Sequence, residues 1–333
     1  MRKLNILILM VVSAIACSED PYSAPDFSSS RRPGIPVLDL EEEASTIPWE
    51  FISGQIIYAN QRTGDIVLIK GDTQKLIIIV KDKLANLIWH PQHSTFSGFR
   101  NDFHLNWDIG FGKSAVVPRL ITYLLTGQQL FPNYSYLSTG FAWSSDLRIA
   151  HTGINDHYAY IDNTLFASEF FCNTYSRPAW SPDNEYLVFS QRRNDPRNKY
   201  ALLVRINVSD TTKKILIQNE KISDSISFAS PIFSPDGKNI LYNRLLLNTY
   251  GVASLSEIWV MSLDGTNQQR LTADYLDGSP VWSPNGEKII FSRQSPVSEE
   301  RGIGSIGMFM MNNDGSGLQQ ILSEGSISPS WKP

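Results

Sequence analysis

Apolar residues along this chain fall in short runs separated by polar turns, and no long 3.6-residue period appears. Three successive stretches show the same order. Pro178-Ala179-Trp180-Ser181-Pro182-Asp183 precedes the run Tyr186 to Ser190. Pro231-Ile232-Phe233-Ser234-Pro235-Asp236-Gly237 precedes Asn239 to Tyr242. Pro280-Val281-Trp282-Ser283-Pro284-Asn285-Gly286 precedes Lys288 to Ser292. A later apolar run then closes on a turn, at Asp264-Gly265 and again at Asp314-Gly315, before a last short strand. Proline presets φ in such turns and glycine supplies φ > 0, so each unit reads as strands joined by tight hairpins.

Units of four strands recurring every 37 to 54 residues are blades of a β-propeller. An aromatic ends the first strand of each unit, at Trp89, Trp143, Trp180, Phe233, Trp282 and Trp331. Six anchors predict six blades, with the aromatics wedged between neighbours. Residues 54–80 hold three strands without a leading anchor, and Ile327 to Trp331 is an orphan strand at the other end. The expectation is an all-β, six-bladed propeller over 49–333, of four-stranded antiparallel blades, with the C-terminal strand joining the N-terminal blade to close the ring. Closure removes the exposed sheet edges an open ring would leave.

The N-terminus predicts the compartment. Arg2 and Lys3 precede an apolar run from Leu4 to Ala16, too short to span a bilayer as a helix. The stretch Ser13-Ala14-Ile15-Ala16-Cys17 resembles a bacterial lipobox, with Ala14 where leucine is preferred. Residues 1–17 therefore read as a signal peptide with Cys17 as the lipidated residue, and 18–48, rich in proline and serine, as a flexible tether. The resemblance implies an exported outer-membrane lipoprotein, periplasmic or surface-exposed, held to the membrane by its N-terminal lipid. With Cys17 acylated, Cys172 has no partner and no internal disulfide forms. A net charge of −4 argues against nucleic acid as a partner.

The repeat Pro-x-Trp-Ser-Pro-Asp-Gly … Ile-x-Phe-Ser … Ile-Trp-Val-Met … Asp-Gly … Leu-Thr resembles the WD-like repeat of TolB-type propellers, strongly over 178–333 and weakly over 54–170. The resemblance implies a six-bladed propeller that binds partners in the cell envelope. The N-terminal α/β domain of that family is not expected here.

Blade geometry separates two faces. The strand A–B and C–D turns are tight, whereas the B–C loops and the connectors between blades are long. Long loops on a rigid scaffold are the usual seat of binding. The candidates on that face are Arg192, Arg193 and Arg197 in one loop, Tyr250 in the next, Glu299, Glu300 and Arg301 in a third, and Arg177 and Asp277 at the inner rim. The expected ligand is an envelope protein or glycan, with no catalytic residue and no cofactor. The alternative is a metal-dependent, glycan-active lyase using His90, His93 and His104 as metal ligands. No Gly-x-Ser-x-Gly elbow occurs, which removes the usual hydrolase signature.

Overall fold

The computed structural model describes residues 40–60, 63–81, 84–91, 95–103, 116–124, 129–134, 140–152, 159–162, 164–167, 177–195, 198–219, 226–247, 253–294, 306–322 and 325–332. Strands dominate them. The first are β1 (Gln55–Asn60), β2 (Asp65–Lys70) and β3 (Lys75–Lys81). A four-stranded sheet follows, β4 (Ala85–Trp89), β5 (Thr95–Phe103), β6 (Val116–Leu124) and β7 (Gln129–Tyr134). The next comprises β8 (Phe141–Trp143), β9 (Ile149–Thr152), β10 (Ala159–Ile161) and β11 (Thr164–Ala167). Then come β12 (Ala179–Trp180), β13 (Tyr186–Asp195), β14 (Asn198–Asn207) and β15 (Lys213–Asn219).

The strands β16 (Ile226–Phe233), β17 (Asn239–Leu247), β18 (Ala253–Ser262) and β19 (Gln269–Arg270) form one antiparallel run. Another contains β20 (Leu276–Trp282), β21 (Lys288–Gln294), β22 (Ile306–Asn312) and β23 (Gln319–Leu322). A parallel bridge between Ser256 and Leu276 joins these two runs into one sheet. The last strand, β24 (Ser326–Lys332), pairs antiparallel with β1, so the first sheet runs β24-β1-β2-β3. The orphan strand expected at the C-terminus is β24.

The Ser-Pro turns are locked from within. Ser181, Ser234 and Ser144 each donate their hydroxyl to the aspartate two residues on, at 2.5 Å, and Ser283 donates to Asn285 at 2.7 Å. Each hydroxyl also accepts a backbone N–H from the strand beyond, as from Tyr186 at 2.8 Å and Asn239 at 2.9 Å. The serine thus bridges the two ends of its own turn, and neighbouring turns also meet, as where Asn184 Nδ2 donates to the Ser145 hydroxyl at 2.6 Å. Gly237 has φ +72° and packs against Pro182 of the preceding turn, and Gly286 repeats this against Pro235. Leu147 holds the same kind of left-handed backbone, at φ 73°, in the worn copy. A leucine there costs roughly 1–2 kcal/mol. Leu147→Gly is therefore expected to raise stability by about 1 kcal/mol, read as a higher midpoint in urea denaturation.

Hydrogen bonding to these hydroxyls, with the neighbouring cation or backbone amide, holds the Asp146 and Asp236 carboxyls below the ordinary aspartate range. A carboxyl depressed in the folded state stabilises above its unfolded pKa and loses that contribution as pH falls through its folded value. The melting temperature is expected to fall on acidification below about pH 4, and to fall less steeply in the Asp146→Asn/Asp236→Asn double variant. Equal acid slopes in thermal scans would contradict this origin.

The aromatic anchors sit between sheets. Trp180 Nε1 donates to the Ala142 carbonyl on β8 at 3.2 Å, and Trp89 Nε1 donates to the Ser330 carbonyl on β24 at 3.0 Å. Trp180 packs with Leu187, Phe189 and Ala142, and Trp282 with Leu241, Ile258 and Phe291, so each spans two sheets or strand runs. His90, just past β4, lies 4.8 Å from the Trp143 ring on β8. The core is thus a chain of apolar clusters between successive blades.

The 18–48 segment is not all tether, in contrast to the expectation from sequence, because α1 (Leu40–Thr46) forms within it. Leu40, Ile47 and Trp49 pack on a cluster containing Tyr58 of β1 and Met308 and Ile321 of the β20–β23 run. Thr46 also donates its hydroxyl to the Ile321 carbonyl at 3.2 Å. Hydrophobic burial, rather than helix length, holds this segment down. Residues 1–39, with Cys17, lie outside the described residues. Among the described residues no helix is long and apolar enough to cross a membrane.

Candidate functional site

Strand lengths alter the picture of the long-loop face. Arg192 and Arg193, expected in a loop from Gln191 to Tyr200, lie instead on β13, opposite Ala201 and Tyr200 of β14. That hairpin extends as far as the pair Asp195–Asn198, so backbone pairing replaces most of the loop. Similarly, β17 continues to Leu247 and β18 begins at Ala253. Arg197, Tyr250, Glu299, Glu300 and Arg301 lie outside the described residues.

Asp277 is not a free rim charge. It is buried on β20 and faces its cross-strand partner Arg293 on β21. Arg293 Nε donates to one carboxylate oxygen at 2.6 Å and Nη2 to the other at 2.8 Å, a bidentate fork. The Arg293 guanidinium also stands over Tyr275 at 4.3 Å and over Phe309 at 5.1 Å. Burial pushes the Asp277 carboxyl up from its ordinary pKa, and the bonds from Arg293 only partly offset this. The Asp277 carbonyl accepts from Asn243 Nδ2 at 2.9 Å and from Ser256 Oγ at 2.5 Å, which ties β20 to β17 and β18. Asp277 therefore acts as a structural pin between two strand runs.

A second charged cluster escaped the sequence reading. Glu257 on β18 is buried and takes bonds from Arg244 on β17 at 3.0 Å, from Arg270 on β19 at 3.1 Å and from Trp259 Nε1 at 3.0 Å. Burial pushes its carboxyl up, but these donors outweigh that and hold it below the ordinary glutamate range. The alternation of Arg244 and Glu257 with apolar neighbours on facing strands was the available signal.

Arg177 differs from both clusters. It stands just ahead of β12, at the end away from the Ser181 turn. Its Nη2 reaches the Leu87 carbonyl on β4 at 3.4 Å. The β8–β11 sheet lies between those two in chain order, with β8 contacting β12 through the Trp180–Ala142 bond and neighbouring β4 through Trp143 and His90. The guanidinium thus links the residues leading into β12 with β4. Burial alone pulls its pKa down to about 10, yet the residue keeps partial solvent contact. No carboxylate pairs with it among the described residues.

Of the candidate metal ligands, His90 sits at the β4–β5 turn with its ring against Trp143, and its backbone N–H donates to the Thr95 carbonyl at 3.0 Å. His93 and His104 lie outside the described residues. Among the described residues no group of three metal-ligating side chains converges.

Known proteins share this architecture. The TolB of Acinetobacter baumannii superposes with a TM-score of 0.61 at 16% identity, over 84% of this chain and 67% of that one. The Tol-Pal system protein TolB of Hydrogenovibrio crunogenus is 34% identical over 108 residues, 32% of this chain and 22% of that protein. The uncharacterized protein Atu1656 of Agrobacterium fabrum is 25% identical over 161 residues, 46% of this chain and 50% of that protein. The chain thus spans half or less of the length of these curated relatives. No protein-family model matches it. The fold is that of a TolB-like β-propeller, as the Trp-Ser-Pro repeats suggested.

Proposed function

We propose that this chain is an exported, membrane-tethered binding scaffold without catalytic activity, built as a closed ring of six four-stranded blades that presents one face to an envelope protein or glycan. The observation that carries this reading is the division of labour between the ends of the strands. On one end, self-locked Ser-Pro turns satisfy their polar groups among themselves, as Ser234 does with Asp236 and Asn239. On the other end, long hairpins such as β13–β14 project beyond the paired inner strand β12. The ring reading is supported by contacts between successive inner strands and by the pairing of β24 with β1. Export is supported by the basic and apolar leader and by the likeness to TolB. Cys17 is the expected lipid attachment point, and Cys17→Ser should move the chain from the membrane to the soluble fraction.

The test is capture from solubilised envelope with the purified chain. The Arg192→Ala/Arg193→Ala/Arg301→Ala variant should lose the captured species, whereas Asp236→Lys on the turn face should keep it. Equal capture by both variants would place binding elsewhere. Stoichiometric zinc, manganese or calcium on the purified chain, lost with His90, His93 and His104, would favour the lyase reading instead.

A further inference from the structure

Each inner strand offers one position three residues before its aromatic anchor. These are Asn86, Gly140, Arg177, Ser230, Ser279 and Ser328, of which Arg177 alone is charged. At the three serine positions the backbone is irregular. Ser230, Ser279 and Ser328 hold φ of 48°, 51° and 50°, and the ladders shift register around them, as between Ala229 and Ile232 and between Gly278 and Val281. Bulges of this kind re-aim side chains and are common beside functional sites.

Arg177 carries five N–H donors, and the described residues supply one long contact, to the Leu87 carbonyl. The other two well-placed arginine clusters set the contrast. Arg293 is fully answered by Asp277, and Arg244 and Arg270 by Glu257. A guanidinium partly withdrawn from water and without a counter-charge costs the fold free energy that a bound anion would offset. We propose that Arg177 is a carboxylate-binding site on the inner wall of the propeller, taking the carboxylate of whatever the scaffold binds. A planar fork matches a carboxylate in charge and geometry. A phosphate dianion would call for a second cation, and none stands at the other five equivalent positions. The proposal builds on the binding reading above and names the chemistry of the ligand.

The test uses the full chain with acetate as the probe, against chloride at equal ionic strength and against inorganic phosphate. A ligand that binds only the folded state raises the melting temperature by mass action. With a Kd of about 10 mM, about 100 mM acetate should raise it by roughly 3 °C. Arg177→Gln should abolish that rise, and Arg177→Lys, which keeps the charge without the fork, should lose most of it. Glucuronate and N-acetylglycine, tried in the same way, tell the two sources of carboxylate apart: a larger rise with the first assigns a sugar acid, with the second a peptide terminus. A larger rise in phosphate than in acetate would overturn the carboxylate assignment. So would no rise, or a rise retained in both variants. These failures would leave envelope capture by the long-loop face intact, whereas a wild-type chain that captures nothing from the envelope but keeps the acetate effect would fault the scaffold reading alone.

Discussion

Removal of residues 326–333 is expected to abolish cooperative folding of the whole domain, not merely to fray one end. This segment carries β24, which supplies the inner strand of the first sheet. Its register runs from Gln55 opposite Lys332 to Asn60 opposite Ser326. Ile327 packs on the cluster that includes Ile57, Ile66, Leu68 and Leu87, and Trp331 packs on the cluster around Tyr58 and Met308. Ser330 accepts the Trp89 indole N–H through its carbonyl, and Trp331 donates its own indole N–H to the Ser53 carbonyl. Deletion therefore removes contacts to β1, to β4 and to the segment before β1 at once. It also bares the β1 edge, which is apolar and open to pairing with other chains. Two lost apolar side chains at about 1.5–3 kcal/mol each, with several hydrogen bonds at about 1 kcal/mol each, approach the whole stability of an ordinary domain. The expected result is loss of the cooperative thermal transition and elution as aggregate. A melting temperature within about 2 °C of the intact chain's would refute it.

The second half of the fold was legible because its turns are chemically constrained. Ser-Pro-Asp-Gly needs proline for φ, glycine for the left-handed residue and serine to bridge both strands, so the repeat survives in sequence. Around β8 the same turn has Leu147 where glycine would serve, and the signal fades accordingly. The helix α1 was missed because seven residues, Leu40–Thr46, are too few to show a period, and their partners lie far along the chain, at Met308 and Ile321. The site was less legible for a related reason. Whether an arginine is free depends on register. Tyr275-Leu276-Asp277-Gly278 looks like a connector, and only the pairing of Asp277 with Arg293 reveals a buried ion pair. Chain geometry alone puts Arg177 at the inner rim, but its reach to the Leu87 carbonyl on β4 needs the sheets in place.

The Asp277–Arg293 pair yields the other large effect. Asp277→Ala is expected to destabilise the domain by about 3–5 kcal/mol, because it leaves a buried guanidinium without its counter-charge. Arg293→Leu should cost a similar amount, since it strands the buried carboxylate and removes the cation from above Tyr275 and Phe309. The Asp277→Leu/Arg293→Leu double variant should recover much of the loss, because two apolar side chains carry no desolvation cost. The carbonyl of residue 277 would keep its bonds from Asn243 and Ser256, which are made to backbone. The pH dependence separates this from simple packing loss. Burial holds the Asp277 carboxyl above its unfolded pKa. Such a group favours the folded state most fully below the unfolded value, and that contribution is lost as pH rises through the raised folded value. In Arg293→Leu only the bond from the Thr272 side chain still offsets the burial, so the carboxyl rises further and the variant should be closest to wild type in acid and fall behind as pH rises toward neutrality. Urea denaturation of the three variants between about pH 4 and 8, the range that brackets an ordinary and a raised carboxyl, reads both effects. A double variant no more stable than either single one, or an Arg293→Leu deficit independent of pH, would show that the pair acts through shape and not through charge.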